Sequence, residues 1–342
     1  MKKIAVIFIF NFLFYSCVKD KPSAITQEPL QLSRDKKVYV INEGGFGSSQ
    51  ASVSLYDPAT GQAVEDFYKA QNNETLGDVA QSVSFAGNNF YLVVNNSNKI
   101  IVCDRQFKKT AEILNLSSPR YLLAVTNSKA YVSELGSAGI SIIDLNSNVK
   151  TGTIKCAGWT EKMALIYNKV FVTNLRRNYV YVLNTLTDQL SDSIVVGLNA
   201  GNIVIDQNDK VWVMSDGDQQ NNVPARLYRI NPVSHAIELN LTFAAQDLPG
   251  NLCLNKTKDT LYYINNGVFR LPISAGALPQ GPFIPANGRN FYGLGINPES
   301  GILYAADALD YVQRSNIYLF DLKGNQLSFF KAGIISNGFY FE

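Results

Sequence analysis

The sequence predicts an all-β protein, a seven-bladed β-propeller with four antiparallel strands per blade. Three observations carry that expectation. An aromatic residue recurs inside short apolar runs at Tyr39, Tyr91, Tyr131, Phe171, Trp212, Tyr262 and Tyr304, in steps of 52, 40, 40, 41, 50 and 42 residues. A second landmark trails it, mostly an Asp or Asn followed by turn residues: Asp57, Asp104, Asp144, Asn184, Asn231, Pro272 and Asp321. The apolar segments are short runs bounded by Gly, Asn and Asp, with no 3.6-residue periodicity and no predicted helix. A period of roughly 40 to 45 residues holding strand, turn, strand, loop, strand, turn, strand is the size of a propeller blade.

Along the chain, residues 1–16 read as a lipoprotein signal peptide. Lys2 and Lys3 precede an apolar stretch from Ile4 to Tyr15, shorter than the roughly 20 residues that span a bilayer. The stretch ends in Ser16-Cys17, which resembles a bacterial lipobox with Cys17 as the lipidated residue. Residues 17–34 are polar, carry Pro22 and Pro29, and read as a lipidated tether. Residues 35–342 hold the repeats. Val38 to Asn42 matches the second strand of a unit, and Ile335 to Phe341 resembles a first strand such as that beginning Pro119-Arg120-Tyr121. One blade is therefore expected to be closed by N- and C-terminal strands, which removes two open sheet edges.

Composition narrows the function. Removing residues 1–16 takes away two lysines and leaves 28 basic and 28 acidic side chains. This balance gives no electrostatic footprint for nucleic acid. Cys103, Cys156 and Cys253 have no metal-site spacing, fall in or beside predicted strands, and are expected as buried thiols.

In a propeller, the loops between second and third strands and those between consecutive blades share one face. From aromatic to Asp/Asn landmark the short units take 13 residues, but the first, fifth and seventh take 18, 19 and 17. The added residues lie on that face, and loops on a rigid scaffold commonly carry binding groups. The expected ligand-binding residues from loops within blades are Asn42, Glu43, Phe46, Arg176, Arg177, Asp216, Asp218, Asp307, Tyr311 and Arg314. Stretches between blades are expected to add Arg120, Tyr121, Trp159, Arg289, Phe291 and Tyr292. Aromatics, arginines and amides around a central mouth suit a neutral or mixed-polarity organic ligand.

The sequence lacks the usual catalytic sets. Its single histidine, His235, falls in a predicted turn on the opposite face, so neither a Ser/His/Asp arrangement nor a His-bearing metal centre is expected. Asp216-Gly217-Asp218 with Asn221 and Asn222 lacks the bidentate Glu that closes a calcium loop, so no metal or other cofactor is expected. Gly44-Gly45-Phe46-Gly47 lacks the Lys and the helix of a phosphate loop.

The segment Val38-Tyr39-Val40-Ile41-Asn42-Glu43-Gly44, the run Ala51 to Asp57, Leu76-Gly77-Asp78-Val79 and Tyr91 to Ser97 together resemble the YncE-like, DUF5074-type propeller lipoproteins of Bacteroidetes. The resemblance is strongest over residues 38–145. It implies a lipid-anchored outer-membrane protein facing the cell exterior. It also implies capture of a nutrient, cobalamin or another corrinoid, for a TonB-dependent transporter, and no enzymatic activity. The alternatives are a protein–protein interaction scaffold at the cell envelope and a propeller lyase or lactonase.

Overall fold

The computed structural model describes residues 36–342. The signal-peptide, tether and Cys17 assignments lie outside the described residues. Within 36–342 the chain forms seven four-stranded antiparallel sheets. The first blade is Ser336–Phe341, Val38–Asn42, Ser52–Asp57 and Gln62–Val64, from the innermost strand outward. The others follow in chain order, with innermost strands Ala80–Ala86, Pro119–Ala124, Thr160–Ile166, Ala200–Ile205, Gly250–Leu254 and Phe291–Ile296. Each innermost strand contacts the next blade, and Phe291–Ile296 contacts Ser336–Phe341, so the ring closes. As expected, one sheet joins both ends of the repeat, with Tyr39 opposite Tyr340 and Val40 opposite Phe339.

The landmark aromatics explain why seven small sheets make a stable ring. The core is divided into seven apolar clusters, each shared by two neighbouring blades. Each cluster contains one landmark residue: Tyr39, Tyr91, Tyr131, Phe171, Trp212, Tyr262 or Tyr304. All seven are at most 5% exposed. Large rings fill the wedge between twisted sheets and bury much area per residue. Tyr39, for example, stacks on Phe107 of the second blade at 5.0 Å between centroids.

The second landmark is turn chemistry. A side-chain oxygen of Asp57, Asp144, Asn184, Asn231 and Asp321 accepts the backbone N–H two residues on, at 2.8–3.0 Å. This stabilises the tight turn from third to outermost strand. One departure from expectation is helical: Phe67–Asn72 forms six residues of α-helix in the stretch leading to the second blade. Phe67 and Tyr68 are buried against the first cluster, so tertiary packing stabilises a turn of helix too short to stand alone. The three remaining cysteines are free thiols, two buried and Cys253 half-buried.

Candidate functional site

A single irregularity, repeated seven times, builds the site. In every blade the innermost strand slips register against its neighbour near its first residues. The slip leaves unpaired Gln81, Arg120 with Tyr121, Glu161 with Lys162, Gly201, Asn251 with Leu252, Tyr292 and Asn337. Such bulges re-aim side chains that the pleat would send elsewhere. One residue from each blade thereby lines a central funnel of about 460 Å³, joined by Tyr121, Lys162 and Asn202 and by Glu43, Leu175 and Asp216 from the loops above.

Most polar groups in the funnel are bound to one another. The Arg120 guanidinium donates from Nε and Nη2 to the two Glu161 oxygens, each at 2.7 Å, and from Nη1 to the Gln81 amide oxygen. Gln81 donates to the Tyr121 hydroxyl at 3.3 Å. Lys162 donates to the Asn202 side-chain oxygen at 2.7 Å. On the far wall the Glu43 carboxylate accepts from the Tyr292 hydroxyl at 3.2 Å and from the Asn337 amide at 2.9 Å. Burial raises the pKa of Glu43 against the pull of those two bonds, and lowers that of Lys162. Asp216 stands differently. Burial pushes its carboxyl up to about 7, opposed by the charge of Lys162. Its Oδ1 and the Oδ1 of Asn337 are enclosed without a hydrogen-bond partner.

The sequence-predicted residues divide into three groups. Glu43, Arg120, Tyr121, Asp216 and Tyr292 meet in the funnel, and Tyr311 stands at the rim, edge-on to Tyr292 at 5.7 Å. Asn42, Phe291 and Asp307 are buried. The Asn42 amide donates to Ser52 and Ser54, and its oxygen accepts from Ser336. Asp307 accepts the N–H groups of Asn290 and Leu309, and Phe291 packs in the cluster between the sixth and seventh blades. These polar residues at the ends of second strands face inward because Asn42 links the two strands beside it and Asp307 ties down the adjoining loops. The others lie peripherally. Phe46 is 81% exposed, Arg176 stacks on Trp159 at 3.7 Å, Arg177 is exposed, and Asp218 bonds within its own loop to Asn221. Arg289 lies over Tyr318, and Arg314 pairs with Glu65 and Asp66.

A correction of position accompanies this. Arg120, Tyr121, Phe291 and Tyr292 belong to innermost strands, not to the stretches between blades. Of the funnel residues that sequence reasoning missed, Gln81, Glu161, Asn251 and Asn337 are second in their innermost strands, and Lys162 and Asn202 are third. A signal existed, because the ring residue precedes the landmark aromatic by ten to twelve residues in six units. His235 lies in a turn of the fifth blade between the strands Arg226–Ile230 and Ile237–Thr242, away from the funnel, and contacts Asp192 and Lys169. Among the described residues, no group of three or more His, Cys, Asp and Glu could hold a metal ion, and no helix is long and apolar enough to cross a membrane.

Residues 36–341 match the family described as a domain of unknown function, DUF5074. No curated protein matches the chain. Among solved structures, a quinoprotein alcohol dehydrogenase-like protein from Bacteroides thetaiotaomicron superposes with a TM-score of 0.71 at 16% identity, covering 89% of this chain and 77% of that one. A functionally unknown protein from Desulfotomaculum acetoxidans gives 0.66 at 13% identity, covering 90% and 99%. Hydrazine synthase from Kuenenia stuttgartiensis gives 0.58 at 15% identity, covering 71% and 76%. These likenesses concern the fold, which hosts unrelated chemistries.

Proposed function

The chain belongs to the DUF5074 family, and from that premise we propose that it is a ligand-capture module whose funnel receives a small organic nutrient without transforming it. The observation that carries this reading is the convergence of seven bulge positions on one cavity. Its volume, about 460 Å³, is within the usual range for small-molecule sites. Fixed charges and tyrosines at its wall supply orientation and apolar area together. Glu161 and Glu43 are engaged in hydrogen bonds and the histidine lies elsewhere, which favours holding over turnover.

The sequence resemblance points to a corrinoid as the nutrient. In this reading the macrocycle lies across the mouth against Tyr311, and its side-chain amides reach Glu43 and Asp216. Acylation at Cys17 anchors the protein to the outer membrane facing the exterior, and the ligand passes to a TonB-dependent transporter. Isothermal titration of the full mature chain with cyanocobalamin tests the ligand. Saturable heat at micromolar concentration, weakened at least tenfold in Tyr292→Ala, is expected. No heat and no thermal shift would remove the corrinoid from the proposal. Radiolabelled palmitate tests the anchor, and should label the wild type but not Cys17→Ser.

A second reading, a docking scaffold for a protein partner, draws on the exposed Phe46 and Val312 on the same face. Recovery of an envelope protein that survives Tyr292→Ala but not Phe46→Ser would favour it.

A further inference from the structure

We propose that the funnel contains a subsite for a cationic nitrogen, an alkyl- or arylalkylammonium group, seated against the carboxylate of Asp216. The inference rests on the funnel being the ligand site and goes beyond it by naming a chemical group that the ligand carries.

Three features of the funnel support it. The first is hydrogen bonding. Every other charged side chain that lines the cavity has a partner: Glu43 in Tyr292 and Asn337, Arg120 and Glu161 in each other, Lys162 in Asn202. Asp216 accepts no side-chain or backbone hydrogen bond from the described residues, and its Oδ1 is enclosed. An unpaired buried acceptor keeps its full desolvation cost, more so when charged. A ligand N–H placed on Oδ2, the oxygen beside Gly201, offsets part of the carboxylate's desolvation.

The second is charge. Glu43, Glu161 and Asp216 face the funnel with only Arg120 and Lys162 to balance them, which leaves one negative charge in excess. Arg120 is held by Glu161 through both carboxylate oxygens, which leaves Glu43 and Asp216 to share the single charge of Lys162. Lys162 favours the Asp216 charge and Glu161 opposes it, both acting without direct contact.

The third is space. Gly201 is the one ring position without a side chain. A Cβ built there would stand 3.7 Å from Asp216 Oδ2, with Leu175 the other neighbour. The gap in the ring is thus beside the carboxylate that lacks a donor.

The test uses phenethylammonium chloride and its uncharged isostere, phenethyl alcohol, titrated into the full mature chain. At pH 8 the ammonium ion should bind at least tenfold more tightly than the alcohol. The preference should shrink at pH 5.5, where the Asp216 carboxyl is protonated, and should vanish in Asp216→Asn. Equal binding of the two probes, an unchanged preference in Asp216→Asn, or no ammonium binding up to about 10 mM would each overturn the inference. Gly201→Leu separates this from the broader reading, because it fills the gap. If it abolishes binding of both probes while the wild type shows no preference, the ammonium subsite falls and the funnel remains the site. If it leaves binding of both probes unchanged, the funnel is not where they bind and both readings fall.

Discussion

Replacing Arg120 with methionine removes the centre of the funnel's hydrogen-bond network while keeping an unbranched apolar stem. The Arg120 and Glu161 side chains are 18% and 6% exposed. The substitution strips Glu161 of two charge-assisted hydrogen bonds of 2.7 Å and leaves the Gln81 oxygen without its donor. Breaking a buried ion pair from one side costs about 3–5 kcal/mol, because the remaining charge stays desolvated. The funnel opens to water, so the lower figure applies, about 3 kcal/mol in the same range. The double variant Arg120→Met/Glu161→Gln removes the stranded charge, and its loss should fall to about 1 kcal/mol, the scale of a neutral hydrogen bond. Urea unfolding followed by tryptophan fluorescence and by circular dichroism, with coincident curves required, reads both quantities. If Arg120→Met lies within 1 kcal/mol of wild type, or if the double variant is as unstable as the two single losses added, Glu161 is not a stranded charge and the reasoning is refuted.

Two further outcomes follow from the same geometry. Ending the chain after Ile335 removes the innermost strand of the first blade and exposes the edge of Val38–Asn42, along with the Tyr304 ring that packs on Phe341 at 5.3 Å. The truncated chain should lose its near-ultraviolet circular dichroism and its cooperative transition, and an unchanged melting curve would show that closure contributes little. Asp216→Asn should change stability with pH in a defined direction. The folded-state pKa of about 7 lies above the ordinary aspartate value of 3.8, so the unfolded state ionises first as pH rises from about 4, and the wild type loses stability until pH 7. The Asn variant should therefore be more stable than wild type by about 2 kcal/mol at pH 8, within a ceiling of about 4 kcal/mol set by the distance between the two pKa values. The difference should disappear below pH 4, and equal stability at pH 8 would mean that the carboxylate is well solvated.

The fold was legible because it depends on side chains whose role is local. An aromatic in the second strand of each unit fills a wedge between two sheets, so its spacing counts the blades directly. Asp or Asn at the end of most third strands caps a turn through its own backbone, wherever that turn sits in space. The candidate site was legible only in part. Glu43 and Asp216 could be found because long loops point to the face that bears them. Asn42 and Asp307, read from the same loops, are consumed in holding the neighbouring strand and loop in place.

Sequence alone determined the number of blades, the strand order and the joining of both ends in one sheet, since each follows from periodicity and from pairing neighbours. Tertiary structure decided which side chains share the funnel. Gln81, Arg120, Glu161, Asn251, Tyr292 and Asn337 are far apart in the chain and sit in strands that read as ordinary. They meet because a bulge in each innermost strand turns one unpaired residue toward the axis. A register slip depends on how two strands pair across a twisted sheet, and an alternation pattern does not encode it.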